Sequence, residues 1–258
     1  DDPLLVQYWH WLGNLVRGDL GIDYQTHEPI THMILTRFPV TLEVAVLGVL
    51  FAAVLGIPLG VIAAAKRGPA DVASTTLGLV GISIPEFWLG VILILVFPLK
   101  LGWLPSSGWV PLSESVWGNL SHMILPAATL GVNFAAVLTR TTRAAVYDVL
   151  NRPYVRTARA KGLHERSIII GHVLRNATIP IITVMGLQFG YALGGAVIIE
   201  QIFSLPGVGQ LTLNAVLQRN YPVVQGAVLL VTLLFMLTNI VTDSLFAVID
   251  PRIRARGR

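Results

Sequence analysis

Residues Arg152–Pro180 read RPYVRTARAKGLHERSIIIGHVLRNATIP, a basic and helix-prone stretch in a chain that is otherwise apolar. We call this stretch the basic island. Glu165 is the only acidic residue in it, against the basic residues Arg152, Arg156, Arg159, Lys161, Arg166 and Arg175. A polar segment of this length between apolar stretches is longer than a simple connector needs to be. We therefore predict that it is a contact surface for a soluble partner.

The composition around the island is that of a membrane protein. Of the 258 residues, 54% are hydrophobic and 12% are charged, and the mean hydropathy is +0.70. An average soluble domain has about 25% charged residues, so the low charge indicates a multi-pass membrane protein with one membrane domain. The chain has no Cys, which excludes disulfides, thiolate metal sites and a Cys nucleophile.

Five stretches are long and apolar enough to cross a bilayer, since a spanning helix needs about 20 mainly apolar residues. We predict an all-α, polytopic helical bundle with spans at Val40–Ala65, Val72–Leu101, Met123–Ala145, Thr178–Phe203 and Val223–Ile249. Glycines four residues apart, as in Gly56 and Gly60 or Gly186, Gly190 and Gly194, suit close packing between such helices. A gating role for these glycines is the alternative interpretation.

Lys and Arg are distributed unequally between the two sets of loops. One set carries 14 of the 18 basic residues, including the whole island, and the other carries 4. The positive-inside rule assigns the first set to the cytoplasm. We therefore predict an external amphipathic segment at 1–39, a transmembrane domain at 40–258 with a cytoplasmic loop at about 150–178, and a cytoplasmic C-terminus. The arginines of the tail are expected to contact anionic headgroups.

Several motifs in register resemble one family of transporters. Arg156-Thr157-Ala158-Arg159-Ala160-Lys161-Gly162, followed by His172-Val173-Leu174-Arg175-Asn176-Ala177 and Pro180, resembles the EAA loop of ABC importer permeases. The match is closest to the B-type permease of the dipeptide, oligopeptide and nickel importers. Ser83-Ile84-Pro85-Glu86, Phe203-Ser204-Leu205-Pro206-Gly207-Val208-Gly209 and Asp250-Pro251-Arg252 also fit this pattern, and together the matches cover essentially the whole chain.

The chain departs from the general pattern at two places. Arg156 and Thr157 stand where the EAA motif has Glu and Ala, and Arg175 closes a His-Val-Leu-Arg sequence in place of the usual ending. Both departures are typical of the peptide branch. The family has six spans of the type I ABC importer fold, so a first helix is expected to be missing from this sequence, which starts at Asp1.

The resemblance implies that the island couples the chain to an ATPase. Gly162 accepts a positive φ at little cost and is a good helix end or hinge. We predict a short helix at Leu163–Leu174 whose apolar face docks in a groove on the ATPase subunit. The alternative is an amphipathic helix lying on anionic lipid. The implied coupling residues are Arg156, Ala158, Ala160, Gly162, Leu163, Glu165, Arg166 and Arg175.

The same resemblance implies the partners and the cargo. They are a second homologous permease, two ATPase subunits, an external substrate-binding protein and the lipid bilayer, with no nucleic acid. No phosphate-binding loop, His-Glu-x-x-His or Gly-x-Ser-x-Gly occurs in the chain, so ATP and Mg²⁺ are expected on the partner subunits and no enzyme activity or metal site on this one. Peptides are the predicted cargo, and nickel complexes, glutathione or haem are the alternatives. An intramembrane enzyme and a stand-alone channel or ion-coupled carrier are the rival classes.

Polar residues within the spans are candidates for the translocation pathway, because ionisable groups in a membrane are costly and often functional. Glu86 lies midway along the second predicted span, where it either lines the passage and attracts a peptide amino terminus or bonds a neighbouring helix. Glu43 and Glu200 lie near the outer interface and are expected to reach water. The predicted pathway residues are Ser83, Glu86, Asn133, Gln188, Tyr191 and Asp243. For Asn133, Gln188 and Tyr191, a hydrogen bond between helices is the favoured alternative.

The turn-rich sequence after the fourth predicted span has two interpretations. By resemblance it faces the binding protein, through Phe203, Pro206, Gly207 and Gly209. The alternative is a structural turn that caps the span.

Overall fold

The computed structural model describes residues 3–66, 68, 76, 78 and 80–249, with only the backbone described for 243 and 245–249. This part of the chain is helical, and its single β-bridge joins Ile22 to Pro29. The helices are α1 Leu4–Val16, α2 Ile30–Ala65, α3 Glu86–Ile94 with π-helical turns at Leu95–Leu101, α4 Val116–Leu150, α5 Pro153–Ala160, α6 Glu165–Ile202 with π-helical turns at Ile169–Leu174, α7 Val208–Leu217 and α8 Tyr221–Ile249. The predicted all-α bundle is confirmed.

Helices α2, α4, α6 and α8 are the described helices that are long and apolar enough to cross a membrane. At 1.5 Å per residue, the 36 residues of α2 extend about 54 Å, well beyond the roughly 30 Å of a hydrocarbon core. Helix α2 begins at Ile30 and contains Pro39, so the predicted boundary at residue 39 lies inside a continuous helix. The ends of the long helices therefore project from the membrane and build the surfaces there.

Helices α2 and α4 run parallel. Gly48 lies against Leu130, Gly56 against Ala135 and Gly60 against Thr139, so that both chains advance in the same direction. Two parallel helices in sequence require the chain between them to return across the bundle.

The second predicted span provides this return. A Cβ on Gly81 would lie 3.1 Å from Ala136 Cβ, and one on Gly90 would lie 3.3 Å from Thr129 Cγ2, so the segment runs antiparallel to α4. The helix is interrupted before Pro85 and resumes at Glu86. Part of the predicted range, residues 72–75, 77 and 79, lies outside the described residues.

Helices α6 and α8 are antiparallel and complete the alternation. Gly186 packs against Thr242, and Gly190 against the ring of Phe235. One end of the bundle therefore holds residues 17–29, 102–115 and 203–220, and the opposite end holds Lys66 and the basic island. We call these the outer and inner ends.

The glycines of α2 lie in close contact with backbone atoms of α4. A Cβ on Gly56 would lie 2.9 Å from the Ala135 carbonyl oxygen, and one on Gly60 would lie 2.6 Å from the Thr139 carbonyl oxygen. We call this contact between α2 and α4 the glycine seam. It supports packing as the role of these glycines, because backbone atoms cannot move aside as a flexible side chain does.

A Gly60→Val substitution is expected to force the glycine seam apart and destabilise the protein by about 2 kcal/mol, a typical cost of overpacking. A Cβ on Gly13 of α1 would meet nothing within 4 Å, so Gly13→Val is the matched control. Thermal unfolding of both variants in detergent measures the difference. Equal midpoints for Gly60→Val and Gly13→Val would contradict the seam.

Candidate functional site

A short helix and a tight turn form the exposed surface of the basic island. Pro153 occupies the first turn of α5, where its missing N–H costs nothing. After α5, Gly162 has φ +78. The Gly162 N–H donates to the Arg159 carbonyl at 2.9 Å, and the Leu163 N–H donates to the Ala158 carbonyl at 3.3 Å. This pair of bonds is a Schellman motif, and it confirms Gly162 as a helix end.

The separate helix predicted at Leu163–Leu174 is wrong in its position. Residues from Glu165 onward belong to α6, which runs without a break to Ile202. The free-standing short helix is α5, before Gly162 rather than after it. The physical reason is that the stretch after Gly162 contains no proline and no left-handed residue before Arg175, so the helix continues through the π-helical turns Ile169–Leu174.

Most of the predicted coupling residues are exposed. Six of them lie at or next to this turn, namely Arg156, Ala160, Gly162, Leu163, Glu165 and Arg166, and Arg175 lies farther along α6. Ala158 is the exception, because it is buried with Val155 on the inner face of α5. It supports the helix from below and presents no surface to a partner. The Arg159 guanidinium donates to both carboxylate oxygens of Glu165, at 2.5 and 3.3 Å, and this ion pair fixes α5 relative to the start of α6.

A groove at the middle of the bundle brings together two of the predicted pathway residues. Glu86 of α3 and Tyr191 of α6 both line it, with Phe134 of α4 and Phe235 of α8. Its volume is about 490 Å³. Glu86 is half-buried there, and Tyr191 is 65% exposed.

The other predicted pathway residues do not line this groove. Gln188 is buried and its Nε2 donates to the Phe134 carbonyl at 3.0 Å, which is the helix-to-helix hydrogen bond of the alternative interpretation. Asn133 is half-buried and Ser83 is exposed, and neither is among the residues that line the groove. The side chain of Asp243 lies outside the described residues.

Glu200 forms a buried polar junction at the outer end. It is fully buried, which contradicts the expectation that it reaches water. The Thr41 hydroxyl of α2 donates to its Oε1 at 2.6 Å, and the backbone N–H of Gln210 donates to its Oε2 at 2.7 Å. Thr41 also accepts the N–H of Val208 at 2.9 Å. The carboxylate thus satisfies the amino-terminal amides of α7 and ties α2, α6 and α7 together.

This junction determines the conformation of the loop that we predicted to face a binding protein. A Cβ on Gly207 would collide with the Glu200 carboxylate, and one on Gly209 would lie 2.7 Å from Val197 Cα. Phe203, Gly207 and Gly209 are buried, and Ser204 and Pro206 are exposed. Pro206 alone of the four predicted residues is therefore on the surface. The Pro-Gly-Val-Gly turn that follows Glu200 was the available sequence signal for the junction.

Other polar contacts stabilise the outer end. The indole Nε1 of Trp109 donates to Glu43 Oε2 at 2.9 Å. Asp23 is buried and accepts from the N–H groups of Gln25 and Thr26, at 3.0 and 3.3 Å, from the Thr26 hydroxyl at 2.6 Å, and from the Asn220 amide. Burial alone would raise the pKa of Asp23, but these hydrogen bonds outweigh it and lower the pKa to about 2. The contact with Asn220 fastens residues 17–29 to the turn between α7 and α8.

The structure shows no metal centre in the part that it describes. Across residues 3–66 and 80–249 no group of three His, Asp or Glu side chains is arranged to hold an ion.

The chain is similar to membrane subunits of transport systems. The family described as "Binding-protein-dependent transport system inner membrane component" matches residues 56–255. The glutathione transport system permease protein GsiC of Escherichia coli strain K12 is 45% identical over 255 residues, which are 98% of this chain and 81% of that protein. The GsiC protein of Shigella dysenteriae serotype 1 has the same identity and coverage.

Solved structures of transporters share the fold. A chain of the MetNI methionine ABC transporter, in an inward-facing conformation, superposes with a TM-score of 0.70 at 18% identity, over 86% of this chain and 99% of that one. A chain of an amino acid ABC transporter crystallised with histidines gives 0.60 at 15% identity, over 84% and 93%.

Removing the Glu200 carboxylate is expected to loosen the outer end. In a Glu200→Ala variant, the Thr41 hydroxyl and the Gln210 N–H lose a buried charged acceptor, and we expect a loss of about 3 kcal/mol of stability. The exposed neighbour Gln201 provides the control Gln201→Ala. Thermal unfolding in detergent measures both, and a Glu200→Ala protein as stable as Gln201→Ala would refute the junction.

The hydrogen bonds that Asp23 accepts should weaken at acid pH. Its folded pKa of about 2 lies below the ordinary 3.8, so the contribution of its ionised form is complete above about pH 4 and is lost as pH falls towards 2. Hydrogen exchange at the amides of Gln25 and Thr26 should accelerate relative to unstructured peptide over that range. This acceleration should be absent in an Asp23→Asn variant and present in the exposed-site control Glu28→Gln. If it persists in Asp23→Asn, Asp23 is not its source.

Proposed function

The chain belongs to the family of inner membrane components of binding-protein-dependent transport systems, and from this premise we propose that it imports peptide-type substrates. Its fold is that of the type I ABC importer permeases. We propose that it works with a second homologous permease, two ATPase subunits and an external substrate-binding protein. The chain itself carries no phosphate-binding loop, so ATP and Mg²⁺ act on the partner subunits.

The identity to the GsiC permeases carries the substrate proposal. It is 45% over 98% of this chain. Those relatives belong to a glutathione transport system, and glutathione is a small peptide with a free amino group. Peptides of this size, glutathione included, are therefore the proposed cargo, in preference to nickel complexes or haem.

The proposed energy input is the inner-end turn made by α5 and Gly162. Its exposed residues include the basic Arg156 and Arg166 and the apolar Leu163, and the Schellman bonds and the Arg159–Glu165 pair hold its shape. We infer that a projection held in this way moves with α6 and transmits displacement to it. We propose that closure of the ATPases pushes this turn and tilts α6, with the groove at its middle.

The sidedness follows from the distribution of basic residues. The inner end, with Lys66 and the island, is proposed to face the cytoplasm together with the C-terminus. The outer end, with α1 and the Glu200 junction, then faces the binding protein. Pro206 and Ser204 are the exposed positions of its loop, and they are the proposed contacts.

Alternating access supplies the mechanism of transport. The groove that contains Glu86 and Tyr191 is open on one side in this chain, and we propose that the second permease closes it to form the passage. Tilting of α6 would then expose the passage to the outer and inner ends in turn. The chain carries out no covalent chemistry in this scheme.

A Gly162→Trp substitution tests the coupling. Space is available for the side chain, since nothing lies within 4 Å of the Cβ position, but the bulky ring would obstruct a docked partner. We expect ATP-driven uptake and binding-protein stimulation of ATP hydrolysis to fall at least about tenfold, the effect of about 1.4 kcal/mol in a coupling equilibrium. Proteoliposomes with the complete importer provide both measurements.

Gly18→Trp is the matched control. Gly18 has nearly the same backbone conformation, φ +82 against +78, and the same open surroundings, but it lies at the outer end. Its variant bears the same backbone strain without touching the proposed docking surface. Because the outer end is also proposed to face the binding protein, the two variants are compared by co-purification of the ATPase subunits, which does not involve that protein. If Gly162→Trp retains the ATPases as Gly18→Trp does, and its uptake survives, the island does not couple the chain to an ATPase.

A further inference from the structure

We propose that the mid-bundle groove is a recognition site for a protonated amino group of the transported substrate, with Glu86 as the counter-charge. This inference rests on the proposed function as an importer. It assigns to the permease itself a selectivity for amine-bearing substrates, separate from that of the binding protein.

Glu86 carries a carboxylate that the described part of the chain leaves without a cationic partner. It stands in the first turn of α3, directly after Pro85. The amino-terminal end of a helix favours a negative charge there. Across residues 3–66 and 80–249, no ion pair and no side-chain hydrogen bond to Glu86 is formed. The carboxylate is half-buried, so a ligand can reach it from the open side of the groove.

The groove lies at the middle of the bundle, where a carboxylate without a partner indicates a functional role. Its walls come from the middle of three long helices, at Phe134 of α4, Tyr191 of α6 and Phe235 of α8. An ionisable group at that depth is costly and is retained where it serves a pathway or a ligand. Glu200 of α6, which is fully buried, has its oxygens satisfied by hydrogen bonds within the chain. Glu86 of α3 forms no such side-chain bond with the described residues.

The walls of the groove suit an ammonium ion attached to an apolar group. The rings of Tyr191 and Phe235 lie 6.2 Å apart at an angle of 54°, and both line the groove. Aromatic faces attract Lys-like cations within about 6 Å of the ring centroid. The rest of the lining is apolar apart from Glu86, the Thr232 hydroxyl and the phenol of Tyr191. One negative charge among aromatic rings is the pattern expected for a primary amine with a compact side chain.

Two glycines create the space for such a ligand. A Cβ on Gly195 would meet nothing within 4 Å, and one on Gly194 would meet only Val231, at 3.9 Å. Both positions are exposed to the groove. Larger residues at these positions would fill it, whereas the volume of about 490 Å³ is in the range of small-molecule sites.

Equilibrium binding tests the site without depending on transport. The complete importer is placed in nanodiscs without its binding protein, and radiolabelled L-alanyl-L-phenylalanine is compared with its N-acetyl derivative, which has no charged amine. We expect wild type to bind the free dipeptide about tenfold more tightly, as the loss of a charge-assisted bond implies. In Glu86→Gln this ratio should fall to about 1, and in the control Glu114→Gln, an exposed external carboxylate, it should remain.

A second variant acts by shape instead of charge. Gly195→Leu should fill the groove and abolish binding of both dipeptides, while Gly13→Leu, at an open position of α1, should bind as wild type does. Gly195→Leu therefore still tests whether the groove is the binding site if the Glu86→Gln complex does not assemble.

The contrary outcomes are distinct. Equal or absent binding of the two dipeptides to wild type, or a ratio unchanged in Glu86→Gln, would overturn the amine site. The Glu86→Gln complex could instead lose the second permease while the remaining subunits still prefer the free dipeptide over the N-acetyl dipeptide. That result would show that Glu86 pairs with a basic residue of the second permease and not with the substrate. Absence of ATP-driven peptide uptake by wild type would instead overturn the proposed function while amine discrimination in binding persisted.

Discussion

The glycine seam between α2 and α4 is the contact on which the rest of the structure depends. In a bilayer, burial of apolar side chains provides little net attraction between helices, and close van der Waals packing takes its place. Gly56 and Gly60 allow the backbone of α2 to approach the carbonyls of Ala135 and Thr139. Because the two helices are parallel, α3 must return between them in the chain, and α6 and α8 then pack in the opposite sense to each other. The groove, the outer junction and the inner turn all lie where these helices end or diverge.

Two glutamates in this bundle have different roles, and the difference lies in their hydrogen bonds. Glu200 is fully buried, yet it is satisfied by Thr41 and by the first amides of α7, so it acts as a structural joint between three helices. Glu86 lies in the first turn of α3 and lines an open groove that also contains aromatic side chains. A carboxylate of the first kind stabilises a fold, and one of the second kind is available to a ligand. The outer end is thus held together by the Glu200 junction, and the groove at the middle of the bundle is open to a ligand.

The sequence was sufficient for the helical class, for four of the five predicted spans and for the helix end at Gly162, because apolar length and a glycine after a short helix are local signals. It was insufficient wherever two distant segments meet. Glu200 appeared to be an interfacial residue because Thr41, 159 positions away, is invisible to a local pattern. For Gln188, the sequence indicates a polar group within a span but does not identify its partner, the Phe134 carbonyl 54 positions away. The short helix was misplaced to Leu163–Leu174 because the amphipathic pattern after Gly162 is that of the start of α6, and periodicity does not reveal whether a helix stops.

The energy for transport is proposed to enter at the inner end, against the turn made by α5 and Gly162. Site-specific photo-crosslinking in the intact complex tests this claim most directly, with a benzophenone side chain at the exposed position Ala160 and, for comparison, at the exposed outer-end position Leu112. We predict a covalent adduct with an ATPase subunit from Ala160, dependent on the nucleotide state, and none from Leu112. Adducts from Ala160 with lipid alone, in a complex that retains its ATPases, would contradict the claim.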